Sequence, residues 1–260
     1  MASLQHAETG LPSVSIVIPL YNSAPFMHTS IDSVLKQTHG DFELILVDDG
    51  STDDTLVKAR ALEAADSRVK VVALAVNGGA ANARNKGIEA ASRRYIAFLD
   101  SDDDWDSRKL EIQLSCMTSR GAALSYTDYQ VRRESGGPDY VFVAPEVTTY
   151  ASMAKRPSIN CSTAIYDTAV LGKRYFPIVR KSEDFALWLS ILREIGSAHK
   201  CGGVLAYYNL RSGSVSSNKL ETAKYTWKVL SEIEKLSFPV AGYYFVCYAF
   251  NNIKKRLLAR

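Results

Sequence analysis

Apolar and polar residues alternate in blocks along the first hundred residues, and the blocks predict strands and helices in turn. Four short apolar runs have the length of buried strands, and they lie at residues 14–18, 43–47, 69–74 and 95–99. Three segments between them have helical spacing or helix-forming composition, namely residues 24–37, 53–65 and 78–91. This alternation predicts an α/β fold with a mostly parallel central sheet flanked by helices.

The second half of the chain has a less regular pattern. A helix near Lys109 leads into a strand-like run at residues 122–126, and Gly136 to Pro138 predict a turn between two short strands. Residues 183–195 place apolar side chains along one side of a helix, and residues 204–208 predict a further strand. Because no internal repeat or low-complexity linker separates the halves, we expect them to share one interface.

Polar clusters follow three of the predicted strands, where ligands collect in sheets of this kind. They are Tyr21 and Asn22, Asp48 and Asp49, and the acidic run from Asp100 to Asp104. Carboxylates crowded into one turn repel one another, so the acidic run predicts a hard divalent cation that also holds phosphate oxygens. The alternative is a solvated acidic turn that caps a helix beginning near Trp105.

Composition and charge exclude several classes of protein. The 260 residues are 47% hydrophobic and 23% charged, as in an ordinary globular protein, and a net charge of +3 without a long basic run argues against nucleic-acid binding. The four cysteines form no CxxC pair, so we expect neither a zinc site nor a disulfide framework. No secretory signal or transmembrane segment is evident, which predicts a cytoplasmic protein.

Four motifs in this order identify a family. Residues 15–22 (SIVIPLYN), 47–51 (VDDGS), 77–85 (NGGAANARN) and 100–103 (DSDD) resemble glycosyltransferase family 2, strongly over about the first 110 residues and weakly to about residue 220. The resemblance implies a GT-A fold, a nucleotide-diphosphate-sugar donor, a Mg²⁺ or Mn²⁺ ion and inversion at the anomeric carbon.

The resemblance also assigns residues to the nucleotide-sugar site. Those expected to contact the donor are Pro19, Tyr21, Asn22, Asp48, Asp49, Asn77, Gly79, Arg84, Asp100, Ser101, Asp102 and Arg211. Asp102 is the expected direct metal ligand, with Asp100 nearer the ribose or a metal-bound water. Arg84 is expected to grip pyrophosphate or brace the carboxylates, the alternative being an exposed helix residue.

Asp184 is the candidate catalytic base. Residues 181–188 (KSEDFALW) resemble the "ED" segment of the family, in which the Asp takes the acceptor proton. The alternative is that Glu183 and Asp184 only favour a helix N-terminus electrostatically. Residues 207–216 resemble a mobile loop that closes over the donor; relatives often have Arg where this chain has Asn209, which leaves Arg211 as the phosphate-facing cation.

The C-terminal segment predicts a contact with a membrane surface. Residues 238–250 are nearly all apolar and rich in tyrosine, and Lys254, Lys255, Arg256 and Arg260 follow. The alternative is a core-packing or homodimer helix. We expect a flexible segment at 1–12, a GT-A catalytic domain at 13–220 (nucleotide-sugar-binding half 13–108, acceptor-side half 109–220) and C-terminal amphipathic helices at 221–260.

Together with the resemblance, these observations predict an inverting glycosyltransferase, peripheral on the inner face of the cytoplasmic membrane. We expect it to move a sugar from a nucleotide-diphosphate donor to a lipid-linked oligosaccharide in bacterial surface polysaccharide synthesis, such as O-antigen or exopolysaccharide. UDP is favoured only as the commonest donor class of the family. The alternatives are a polyprenyl-phosphate sugar transferase and, in a different class, an inert nucleotide-sugar-binding module.

Overall fold

A computed structural model of the protein describes residues 10–133, 136, 138–210 and 219–258, and gives only the backbone of 219, 220 and 252–258. The strands of the described part are β1 Val14–Leu20, β2 Phe42–Asp48, β3 Val69–Ala73, β4 Tyr95–Phe98, β5 Asp104–Trp105, β6 Leu124–Arg133, β7 Tyr140–Phe142, β8 Val147–Thr149, β9 Ile165–Asp167 and β10 Ser197–Leu210. Its α-helices are α1 Met27–Leu35, α2 Thr55–Ala65, α3 Ala80–Ala90, α4 Lys109–Arg120, α5 Tyr150–Lys155, α6 Thr168–Leu171, α7 Glu183–Ile195, α8 Lys219–Lys228 and α9 Phe238–Leu258. A 3₁₀ helix at Cys161–Thr163 and a π-helical turn at Val229–Ile233 complete the list.

All the strands join one sheet in the order β3-β2-β1-β4-β9-β6-β10-β5, with β7 beside β6 and β8 beside β10. The first four strands in this order are mutually parallel. Strand β9 runs antiparallel to both β4 and β6, whereas β6 and β10 are parallel. The α/β fold with a parallel sheet is therefore confirmed for the first half, and the second half extends it as a mixed sheet.

Helices cover both faces of the sheet, which explains the continuous apolar runs. In β1, Val17 belongs to the hydrophobic core on one face, whereas Ile16 and Ile18 belong to the core on the other. Helix α3 lies so close to β1 that a Cβ atom at Gly87 would stand 2.3 Å from Val17 Cγ1. Any larger residue there would have to displace the Val17 side chain or move the helix away from the strand.

One alternative and one expectation drawn from the sequence are wrong. Trp105 does not open a helix, because Asp104 and Trp105 pair with Tyr207 and Ala206 of β10, and α4 begins at Lys109. Cys116 in α4 and Cys201 in β10 form a disulfide, with their Cα atoms 5.6 Å apart. Their 85-residue separation hid this pairing in the sequence, since only the packing of α4 on β10 brings them together.

Helix α9 packs against the core with one face. Ala241 is fully buried, and the Trp227 ring meets the rings of Phe238 and Phe245 edge-on. The core-packing alternative therefore describes this face. None of the described helices combines the length and apolarity needed to cross a bilayer.

Candidate active site

The polar clusters after β1, β2 and β4 meet at one edge of the sheet. Asn22, which has a φ of +48°, receives a hydrogen bond on Oδ1 from Thr52 N at 2.9 Å and donates its own N–H to Ser51 Oγ at 3.0 Å. The Oγ atoms of Ser23 and Ser101 are 3.1 Å apart. These contacts join the loops after the three strands, because the carboxyl ends of parallel neighbours lie side by side.

Asp48 and Asp49 have different partners, although they are adjacent in sequence. Both oxygens of Asp49 accept backbone N–H groups, from Gly78 at 2.9 Å and Gly79 at 2.7 Å, so this carboxylate holds the loop before α3. Asp48 Oδ2 accepts Ser51 N at 3.3 Å, but Oδ1 is buried and accepts no hydrogen bond from the described residues. Of the pair, Asp48 is therefore the one whose carboxylate has a buried oxygen without a hydrogen-bond donor among the described residues.

Three further residues that were predicted to contact the donor lie near the same edge. Tyr21 is 49% exposed, and Asn77 is exposed in the loop that leads to α3. Pro19 is partly buried in β1, where it stands beside Val47 of β2. Arg211 lies outside the described residues.

Arg84 extends from α3 between two acidic residues. Its Nη2 donates to Asp100 Oδ1 at 2.5 Å, and its Nη1 donates to Glu183 Oε1 at 3.1 Å. Burial opposes the charged guanidinium, but the negative charges of Asp100 and Glu183 outweigh it and raise the pKa of Arg84 well above its ordinary value. Arg84 is therefore a buried ionic link between the acidic loop and the start of α7, not an exposed helix residue.

We expect Arg84→Lys to lower the free energy of unfolding by about 1.5 to 3 kcal/mol, because a lysine cannot present a guanidinium fork to both carboxylates. Urea unfolding measures the change. Arg60→Lys is the matched control, since Arg60 pairs with Glu63 at the surface and exposed pairs contribute little. Equal loss in the two variants would contradict a special role for the Arg84 link.

Three acidic residues after β4 have separate environments. Asp100 is 32% exposed at its side chain, and Asp102 lines a cavity of about 410 Å³. Asp103 is buried: its Oδ2 accepts Ser162 Oγ at 2.6 Å and its Oδ1 accepts Asn209 N at 3.1 Å. Burial, with the nearby charges of Asp100 and Asp102, raises the pKa of Asp103 well above its ordinary value. The buried Asp103 therefore anchors the acidic loop through its hydrogen bonds with Ser162 and Asn209.

The carboxylates of the acidic loop are the ligand type that hard divalent cations prefer. Within the described ranges, no group of three or more His, Cys, Asp or Glu residues has metal-site geometry. Mg²⁺ and similar hard cations are often held by one or two carboxylates, with water and substrate phosphates as the remaining ligands. The acidic loop offers two carboxylates for such a shared role: Asp100, which is 32% exposed at its side chain, and Asp102, which lines the cavity of about 410 Å³.

Asp184 lies in the first turn of α7, after Ser182 in the left-handed region at a φ of +63°. Its Oδ1 accepts the N–H of Phe185 at 2.7 Å. Burial and the neighbouring charge of Glu183 raise the pKa of Asp184 to about 6. At neutral pH the carboxylate is largely ionised, yet it is more basic than an ordinary aspartate, which suits a general base.

Several supporting residues were not found from the sequence. The side chain of Asn85 donates to Phe176 O at 2.8 Å and accepts Phe176 N at 2.7 Å, so α3 holds the chain segment that precedes α7. Ser162 supports Asp103 from a 3₁₀ helix that carried no recognisable motif. Asn85 belongs to the motif at residues 77–85, beside Arg84, and this motif was the sequence signal that could have identified it.

Comparisons with known proteins identify the family of this chain. The family model described as "Glycosyl transferase family 2" matches residues 15–173. The chain is 44% identical to "Putative teichuronic acid biosynthesis glycosyltransferase TuaG" of Bacillus subtilis, over 95% of this chain and 98% of that protein. It is 41% identical to "UDP-Glc:alpha-D-GlcNAc-diphosphoundecaprenol beta-1,3-glucosyltransferase WfgD" of Escherichia coli, over 93% of this chain and 94% of the relative.

Solved structures support the fold. Residues 1–349 of Staphylococcus aureus TarS, in complex with UDP-GlcNAc, match 91% of this chain and 71% of that chain with a TM-score of 0.68 and 22% identity. The mannosyltransferase PcManGT of Pyrobaculum calidifontis, in complex with GDP-Man and Mn²⁺, matches 93% of this chain and 70% of that chain with a TM-score of 0.70 and 17% identity. The expectation of a GT-A fold is confirmed.

Proposed function

Because the chain belongs to glycosyl transferase family 2 and is a glycosyltransferase, we propose that it moves a sugar from a UDP-sugar to a lipid-linked saccharide of a bacterial surface polysaccharide. The observation that carries this proposal is the ionic link from Asp100 through Arg84 to Glu183. It joins the acidic loop after β4 to the helical turn that holds Asp184. Relatives named for teichuronic acid synthesis and for a diphosphoundecaprenol acceptor support the substrate class.

We propose Asp184 as the base of an inverting transfer. Its carboxylate takes the proton of the acceptor hydroxyl as that oxygen attacks the anomeric carbon from the face opposite the diphosphate. The new carbon–oxygen bond forms, the bond to the diphosphate oxygen breaks, and the nucleoside diphosphate leaves with the bonding electrons. Glu183 is less suited to this role because its Oε1 is engaged by Arg84.

The donor side is proposed to rest on the loops after β1, β2 and β4. The buried Oδ1 of Asp48 is an acceptor for a base imide N–H or a ribose hydroxyl. Asp100 and Asp102 would hold a Mg²⁺ or Mn²⁺ ion, which supplies charge neutralisation for the leaving diphosphate when bound. Arg84 keeps Asp100 in place through the hydrogen bond from its Nη2 to Asp100 Oδ1.

A screen of nucleotide sugars and acceptors tests the proposed reaction. Transfer from a UDP-sugar to a sugar linked to polyprenyl diphosphate, dependent on Mn²⁺ or Mg²⁺ and with inverted anomeric configuration by NMR, is the expected result. Transfer to polyprenyl phosphate itself would instead identify a polyprenyl-phosphate sugar transferase. Donor binding without any turnover would identify an inert binding module.

A membrane-facing surface on α9 is proposed to bring the enzyme to its acceptor. Large side chains on this helix remain exposed although its other face is packed, and they are Val240, Tyr243, Val246 and Phe250. The Nζ atom of Lys155 in α5 lies 5.2 Å from the centroid of the Tyr243 ring, which places a cation beside the apolar surface. Aromatic and aliphatic side chains flanked by cations are typical of interfacial helices on anionic membranes.

Replacing Val246 and Phe250 together by aspartate is expected to reduce binding to anionic liposomes by about tenfold or more, because apolar burial in the interface is lost. Co-sedimentation at low and high salt measures the effect, and salt should weaken the basic contribution. Truncation is a poorer test, since Ala241 on the opposite face is buried in the core.

Val57→Asp is the control for an added surface carboxylate, because Val57 is 70% exposed on a different helix, α2. The control should sediment like the parent. Unchanged liposome binding of the doubly substituted protein would contradict a membrane surface here. A change from dimer to monomer in that protein would assign the surface to a homodimer instead.

A further inference from the structure

Asn209, near the end of β10, holds three consecutive residues of the acidic loop. Its Nδ2 donates to the carbonyl oxygen of Asp102 at 2.7 Å and to Asp104 Oδ1 at 3.1 Å. Its backbone N–H donates to Asp103 Oδ1 at 3.1 Å. Asn209 is more than one hundred positions away from this loop in the sequence, so the contact is purely tertiary.

Asp104, one of the residues that Asn209 binds, has a second partner in β6. Arg132 Nη1 in β6 donates to both oxygens of Asp104, at 3.0 and 3.2 Å. The Arg132 guanidinium lies 3.8 Å from the centroid of the Tyr207 ring in β10. Side chains of three neighbouring strands, β5, β6 and β10, are therefore linked at the point where Asn209 holds the loop.

The bond to Asp102 goes to its peptide carbonyl, and this determines what Asn209 controls. A fixed carbonyl sets the orientation of the backbone that carries the Asp102 side chain, and Asp102 and Asn209 line the same cavity of about 410 Å³. The carboxamide suits the position because one NH₂ group supplies two donors, one to each acceptor. A carboxylate there would offer no donor and would add a further negative charge.

We propose that Asn209 is a positioning residue for the divalent cation shared with the donor diphosphate, acting by holding Asp102 in the orientation of a ligand. The inference rests on the proposed function, which places the cation at Asp100 and Asp102. Groups that orient a metal ligand contribute about 10- to 100-fold to metal affinity. The loop would otherwise sample orientations in which the carboxylate cannot reach the cation.

The experiment measures Mn²⁺ binding to the full chain in the presence of saturating UDP, by the electron paramagnetic resonance signal of free Mn²⁺. Asn209→Leu keeps a side chain of similar size without donors, and we expect it to raise the dissociation constant of Mn²⁺ by about tenfold or more. In transfer assays the same variant should need more Mn²⁺ for half-maximal rate, whereas kcat at saturating Mn²⁺ should recover to near the parent value.

Asn251→Leu in α9 is the matched control, since the Asn251 carboxamide also donates to two acceptors, the carbonyls of Lys155 and Cys247. Its Mn²⁺ affinity should equal that of the parent. If Asn209→Leu also binds Mn²⁺ like the parent, Asn209 has only a structural role and the inference is wrong. If the parent itself binds no Mn²⁺ with UDP, the proposed cation fails instead, so the two failures are distinguishable.

A second variant covers the case in which Asn209→Leu does not fold. Asn209→Ser retains one donor. We expect its Mn²⁺ affinity to be lower than that of the parent and of the control, without complete loss of binding. Amide hydrogen exchange in the metal-free protein should show faster exchange at residues 102–104 than in the parent. Parent-like exchange and affinity in this variant would overturn the inference.

Discussion

Asp184→Asn is expected to lower the rate of sugar transfer by about two or more orders of magnitude, the usual contribution of a general base. The amide keeps the shape of the side chain and can still accept the N–H of Phe185, but it cannot take the acceptor proton. Donor binding should persist, because the substituted residue lies outside the loops proposed to hold the nucleotide. Radiolabelled sugar transfer and calorimetry with UDP and Mn²⁺ measure the two effects.

The stability of the same variant separates a chemical defect from a folding defect. The pKa of Asp184 is raised from 3.8 to about 6 in the folded protein, so the folded state binds the proton more tightly than the unfolded state does. Ionised Asp184 therefore opposes folding at pH 7, and this penalty decreases as the pH falls through 6. Asp184→Asn removes the penalty and should melt no lower than the parent at pH 7.

The pH profile gives an independent test of the base. In the parent, kcat/KM should fall by about tenfold per pH unit below roughly pH 6, as Asp184 becomes protonated. This acidic limb should be absent from the residual activity of Asp184→Asn. Near-parent turnover in Asp184→Asn, with loss in Glu183→Gln, would move the base to Glu183.

Asp102→Ala is expected to abolish metal-dependent donor binding, which corresponds to a rise of about 100-fold or more in the dissociation constant of the donor with Mn²⁺. The fold should remain intact, because the change removes one of several crowded negative charges at a loop. Calorimetry with UDP-sugar, with and without Mn²⁺, measures the loss.

Asp106→Ala provides the matched control for Asp102→Ala, since it removes a carboxylate from the same chain segment. Among the hydrogen bonds described, the Asp106 carboxylate accepts only one, from the backbone N–H of Arg108. Its donor affinity should stay near that of the parent. Equal, parent-like affinity in both variants would mean that the acidic run is only a polar turn. The thermal midpoints of the two variants should differ little.

The residue pattern was sufficient to predict the first half of the fold. Strands β1, β2 and β4 are buried on both faces, so their apolar runs were continuous and their ends were marked by polar residues. Parallel strands then place those polar ends together, which is why the convergence of Asn22, Asp48 and Asp100 on one edge could be expected before any coordinates. The glycine of the VDDGS motif also marks a position that the fold restricts. Gly50 has a φ of +70°, and a Cβ atom there would stand 2.9 Å from Asn77 N.

The second half was harder to predict because its elements are short and their partners are distant. Strand β5 has only two residues and exists because β10 pairs with it. The disulfide of Cys116 with Cys201 depends likewise on helix α4 lying against β10. No local pattern could indicate either, since both follow from contacts between remote segments.

By itself, the sequence determined the family, the α/β sheet and the residue types available for chemistry, because these depend on local periodicity and on motifs of a few adjacent residues. Only the tertiary structure decided how those residues divide their roles. Asp49 binds the backbone of Gly78 and Gly79 while Asp48 keeps a buried oxygen, and Arg84 joins Asp100 to Glu183. The physical reason is that burial and the partners of each charge, which set hydrogen bonding and pKa, are properties of the folded chain and not of the neighbouring letters.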